Sequence, residues 1–220
     1  TSPNHDTRTA AVLGLALGVS FTICLVTGVV SLWGQSRDPW IAWPSRPAGL
    51  YRVTQGLHVV TGFVSIPLLL AKLWTVAPQL VRLPPARTVA HAIERLALLP
   101  LVGGALFRLF SGTDNVAGWY PWPFFFTLAH RTAAWITIGA LIVHVGAVAV
   151  RTRDALLRSP AGPSDTTDRT TGSRDEAADD RRAFLGGVAA TAGIIAVATA
   201  GAAVAPLSRI SVLGSRRPNT

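Results

Sequence analysis

The chain has 220 residues, half of them apolar, with 14% charged side chains and a formal net charge of +9. Several apolar runs approach the ~20 residues that cross a bilayer core of about 30 Å, which excludes an ordinary water-soluble domain. The basic excess does not point to nucleic acid, because the arginines sit at the ends of apolar runs and not in one stripe with interleaved aromatics.

Residues 1–9 form a polar N-terminal tail in which His5 is expected to be solvated. The first span is predicted over about Ala10 to Trp33. It holds Cys24, the single cysteine, so an internal disulfide and a cysteine-ligated cluster are excluded and ordinary packing is its expected role. Trp40, Trp43, Pro39, Pro44 and Pro47 then mark a helix-breaking loop at an aromatic interface. The second span, about Leu50 to Val76, carries His58 and Lys72, the latter the only lysine. A basic loop from about Ala77 to Glu94 includes His91 and leads into a short third span, Leu96 to Phe110. After Trp119, Tyr120, Pro121, Trp122 and Pro123, the fourth span runs from Phe124 to Val150 with His130 and His144.

Residues 151–182 are rich in Asp, Thr, Arg, Gly and Ser and are expected to be a disordered linker. Its end, Asp180-Arg181-Arg182-Ala183-Phe184-Leu185, has the form of a twin-arginine export signal, with Arg181, Arg182, Phe184 and Leu185 at the recognised places. The plainer reading is a positive flank followed by an ordinary anchor. A weakly hydrophobic fifth span follows, about Phe184 to Leu207 within a segment 183–208, and then a tail, 209–220. Arginines on the cytoplasmic side, among them Arg82, Arg87, Arg151 and Arg153, outnumber Arg37 and Arg46 outside if the N-terminus is inside and the C-terminus outside.

His130 and His144 are fourteen residues apart, close to four helical turns, so both imidazoles leave the same helix face about 21 Å apart. Ionisable groups inside a spanning helix are costly and are functional candidates by default. His58 and His130 each lie about eight residues, roughly 12 Å, below the outer end of an inward-running span. Imidazoles at one depth on facing helices can ligate a haem iron from both sides. His144 lies near the cytoplasmic face, where His91 is its candidate partner. The alternative for each histidine is an interhelical hydrogen bond of about 1 kcal/mol. Arg52 and Arg131 are candidate propionate partners near the first pair. Lys72, fourteen residues after His58, returns to that face as a partner for a propionate or a quinone, or else snorkels to the interface. Gly56, Gly62 and Gly139 lie near the proposed ligands and would admit a flat macrocycle.

The run Thr54-Gln55-Gly56-Leu57-His58-Val59-Val60-Thr61-Gly62, with Ile66, Pro67 and Ala71-Lys72-Leu73-Trp74, resembles the membrane part of bacterial molybdopterin-dependent oxidoreductases. Glu94, Arg95, Gly103, Phe107, Asn115, the Trp119 to Phe124 segment and His130 continue the likeness, as do Arg181 to Leu185, so that it covers about Leu50 to Arg217. The resemblance implies haem b in a four-helix bundle that exchanges electrons with an exported molybdenum domain on one side and a quinone or respiratory partner on the other. The family's molybdopterin domain has no counterpart here, so no bond-making catalytic residue is expected.

The expectation is therefore an all-α membrane protein of the bacterial cytoplasmic membrane. Residues 10–150 form a four-helix haem-binding bundle, to which a fifth transmembrane helix is added. Two haems b are expected, with one as the fallback, and partners are the lipid bilayer and a redox domain or respiratory complex. The rival is a non-redox membrane anchor or assembly subunit that uses its histidines for packing.

Overall fold

A computed structural model of the chain describes residues 6–36, 42–80, 89–157, 171–202, 204 and 211–213. Five long helices carry these residues, α1 (Thr7–Gly34), α2 (Leu50–Leu80), α3 (Val89–Ala117), α4 (Phe126–Leu157) and α5 (Thr171–Thr199), and a 3₁₀ turn, Ala200–Ala202, follows. All five contain a stretch long and apolar enough to cross a membrane. Among the described residues there is no strand.

Each helix is longer than its expected apolar core, although α4 starts two residues later than expected, at Phe126, and α5 ends earlier, at Thr199. The third grows most, from Leu96–Phe110 to Val89–Ala117, because hydropathy detects only the lipid-embedded part while the flanking turns continue the same backbone hydrogen bonds. It does so despite Pro100 in its interior. The expected linker, 151–182, is helical at both ends: α4 continues to Leu157 and α5 starts at Thr171. Sequence that cannot form a core can still prolong a helix already nucleated by its apolar half, and here Arg182 pairs with Asp179 one turn earlier at 3.1 Å. Residues 158–170 lie outside the described residues, as do residues 1–5 with His5, and most of the tail from 205 onward.

Side chains are distributed as lipid dictates and not as water does. Leu15, Val26, Trp74, Leu96, Leu99, Ile142 and Ile194 are exposed, whereas Thr9, Ser65, Thr75, Ser111 and Thr137 are almost completely buried. Hydroxyls can be buried cheaply where they find backbone acceptors, and Thr27, Thr61, Ser65, Thr75 and Thr137 each donate to the carbonyl four residues earlier at 2.7–2.8 Å. Small polar residues also let helices approach closely, which is how membrane helices associate.

The chain divides into two compact units, each described by itself. One comprises Leu15–Leu69 with Val188–Thr220. In it α1 and α2 are joined by buried hydroxyls: Ser20 Oγ lies 2.9 Å from Ser65 Oγ and 3.0 Å from the Thr61 carbonyl. At the end of that helix pair Trp33, Trp43 and Tyr51 stack edge to face, and Gln35 Nε2 donates to the Tyr51 hydroxyl at 2.8 Å. The other unit comprises Thr1–Gly14 with Leu70–Gly187. Its centre is the α3–α4 seam, where a Cβ on Gly104 would overlap the Thr137 hydroxyl. Gly118, with φ of 68°, ends α3 in the left-handed conformation that glycine adopts without strain.

Candidate functional site: two imidazoles on spanning helices

His58 leaves α2 two turns from its start and is half-buried. Its Nδ1 lies 2.7 Å from the backbone carbonyl of Cys24 on α1. A carbonyl can only accept, so Nδ1 carries the proton and Nε2 carries the ring's lone pair. The Cys24 thiol sits 3.5 Å from the same Nδ1 and donates to the His58 carbonyl at 3.6 Å. One turn along α1, a Cβ on Gly28 would fall 2.9 Å from His58 Cε1, closer than real Cβ atoms come. Glycine at 28 therefore makes the space in which the imidazole lies.

His130 repeats this arrangement in the other unit. It leaves the second turn of α4, half-buried, with Nδ1 3.2 Å from Ser111 Oγ on α3. Ser111 also donates, at a longer 3.4 Å, to the Arg108 carbonyl of its own helix. A hydroxyl can donate to an imidazole nitrogen or accept from it, so this contact holds the ring in place without fixing which nitrogen carries the proton. Gly112 lies beside the ring, a Cβ there falling 3.5 Å from His130 Cε1, and Phe126 covers it with ring centroids 5.1 Å apart. His144 is half-buried on the same α4 stripe, separated from His130 by Thr137 at seven-residue spacing.

The other expected site residues fall as follows. His91 is in the first turn of α3, and its side chain lies outside the described residues. Arg52 and Arg131 are exposed at the ends of α2 and α4 nearest their histidines. Lys72 is half-buried and donates to the Ala10 carbonyl of α1, with a Cβ on Gly14 falling 3.2 Å from its Nζ. Arg181 is half-buried 3.7 Å from Asp6, while Arg182 is exposed on Asp179; Phe184 and Leu185 continue α5 and are half-buried.

Of the glycines expected beside the ligands, Gly62 and Gly139 face open space, with nothing within 4 Å of a Cβ built there. Gly28 and Gly112 meet the rings instead. Adjacency in sequence could not single out these two, because the residue opposite a helical side chain comes from the neighbouring helix. Cys24 and Ser111, the hydrogen-bond partners, were likewise not singled out as such. The signals available were a small residue one turn from Cys24 on α1 and a Ser-Gly pair in the apolar part of α3.

The loop between α3 and α4 builds an aromatic lid over the His130 end of that unit. Trp122 stacks on Phe124 with ring centroids 5.0 Å apart, Phe110 packs edge-on to both Trp119 and Trp122, and Tyr120 donates to Asn115 at 2.9 Å. Asp114, three residues after Ser111, is buried there. Among the described residues no three His, Cys, Asp or Glu side chains converge as a metal-chelating group.

Fold and side-chain distribution define the class of the chain: an all-helical protein with five helices fit to cross a membrane and histidines on two of them within the apolar spans. It matches no protein-family model, no curated protein and no solved structure.

Proposed function

We propose that the protein is a membrane-integral b-type cytochrome that relays electrons between an extracytoplasmic redox domain of the molybdopterin type and a quinone or respiratory partner. Its axial ligands are His58 with His130 and His91 with His144, paired by their depths in the sequence; a single haem at the first pair is the fallback. The observation that carries this reading is the 2.7 Å contact from His58 Nδ1 to the Cys24 carbonyl. Imidazoles that bind a metal through Nε2 characteristically donate Nδ1–H to a carbonyl or carboxylate, which fixes the tautomer and the ring plane.

When bound, haem supplies a one-electron carrier whose potential is set by axial ligation, burial and nearby charge. The chain's own residues do the rest. The Cys24 carbonyl holds the Nδ1 proton of His58, and the Ser111 hydroxyl is hydrogen-bonded to Nδ1 of His130. Gly28 clears the flank of the His58 ring, and Gly112 lies beside that of His130. Arg52 and Arg131 are cations within reach of the same helix ends for propionates, and the apolar spans keep water from the ligands. No bond-making catalysis is proposed.

The rival, a non-redox anchor, predicts that the same hydrogen bonds only fasten helices together. A quantitative pyridine haemochrome assay on the purified full chain separates the two readings. One or two haems per chain is the expected result, and a value near zero rejects the cytochrome.

A further inference from the structure

We infer that Lys72 is the cationic centre of a site for the phosphate group of an anionic phospholipid, at the membrane boundary nearest the start of α1. The inference does not depend on haem. Lys72 occupies an apolar helix, where a lone ammonium requires a compensating anion. Its Nζ is held on the Ala10 carbonyl, which fixes its height. α1 has 28 residues, hence a length of about 42 Å against a hydrocarbon core of about 30 Å, so an upright helix centred on the core projects roughly 6 Å beyond it at each end. Ala10 is three residues from that helix end and so lies close to the hydrocarbon edge, the level at which glycerol and phosphate groups begin.

Among the described residues no carboxylate compensates this ammonium. Asp6, the acid at the start of α1, is engaged by Arg181 at 3.7 Å, and among the described residues Lys72 forms no ion pair. An ammonium has three protons to donate, and one carbonyl accounts for one. Gly14 keeps the approach to Nζ open, since a Cβ there would sit 3.2 Å away. Exposed Val12, Leu70 and Trp74 at the same end offer apolar surface to acyl chains, and tryptophan favours the interfacial depth. Basic pockets between spanning helices at that depth are suited to anionic headgroups, at about 1 kcal/mol per cation.

The test is native mass spectrometry of the full chain released from nanodiscs of mixed phosphatidylglycerol and phosphatidylcholine. The wild-type chain is expected to retain phosphatidylglycerol preferentially. Lys72→Gln should reduce that preference about fivefold, Lys72→Arg should keep it, and circular dichroism should show the helix content of both unchanged. Equal retention by wild type and Lys72→Gln overturns the inference. So does displacement of the lipid by millimolar inorganic phosphate, which would mark a free-phosphate site. If Lys72→Gln leaves lipid retention intact but shifts the potential or occupancy of a bound haem, the anion is a cofactor carboxylate and the lipid site is rejected. Lipid retention is read without haem, so its failure is distinct from failure of the cytochrome.

Discussion

His58 donates its Nδ1 proton to the main-chain carbonyl of Cys24, on the neighbouring helix, at 2.7 Å. Because the acceptor is backbone, substitution of Cys24 cannot remove it directly, and the tautomer of His58 is fixed by the path of α1 itself. The cysteine side chain is an addition to this contact and not its source. Cys24→Ser should therefore leave haem content within about twofold of wild type, whereas His58→Ala should abolish the haem ligated there while helix content stays constant. Haemochrome content against far-ultraviolet circular dichroism checks both, and unchanged haem in His58→Ala would favour the anchor.

Gly28 controls the space on the other side of the same ring. Adding a Cβ places it 2.9 Å from Cε1, and the imidazole cannot retreat without stretching its bond to the carbonyl. Gly28→Ala should destabilise the fold by about 1–3 kcal/mol, the usual cost of overpacking. Gly18→Ala on the same helix, where a Cβ meets nothing within 4 Å, should be neutral or stabilising by up to about 1 kcal/mol. Thermal unfolding in detergent compares the two, and equal effects would mean that the ring does not occupy the space beside Gly28.

Ser111 plays for His130 the part that a carbonyl plays for His58, with the difference that it can be removed by mutation. Ser111→Ala removes this partner of Nδ1 in an apolar seam, at a cost of about 1–3 kcal/mol. Nitrogen-15 spectra of His130 in the haem-free protein should show a changed ratio of the two tautomers. A spectrum that does not respond would show that the hydroxyl is not bonded to the ring.

Gly104 and Thr137 meet closely across the seam between α3 and α4. Gly104→Ala should destabilise by about 1–3 kcal/mol, and Thr137→Ala in the same chain should recover part of that loss, because it removes the hydroxyl that the new methyl group overlaps. A double-mutant cycle on unfolding midpoints measures the coupling, and strictly additive effects would contradict the contact.

The spanning helices were legible because lipid imposes one requirement, about 20 apolar residues with every backbone group bonded internally, that sequence expresses directly. Leu50 was read as the start of the second helix for that reason, and α2 starts there. The continuation of α4 to Leu157 and the start of α5 at Thr171 were not legible, since charged helical turns outside lipid have the composition of a linker. The histidines stood out as polar residues in apolar runs. Their partners did not, because which atom of Cys24, Gly28, Ser111 or Gly112 meets an imidazole depends on the rotation and height of a second helix. Fourteen-residue spacing could place Lys72 on the face of His58, but it could not show that the ammonium is held by the Ala10 carbonyl.

Pro100 sits within α3 and brings no N–H, so the carbonyl of Leu96 has no helical donor. The helix runs through the proline with one backbone hydrogen bond fewer, and that turn is where it would bend most cheaply. Gly104, Ser111 and Gly112, which face α4, follow the proline in sequence, while His91 and Arg95 precede it. A bend there would leave the contacts around His130 in place.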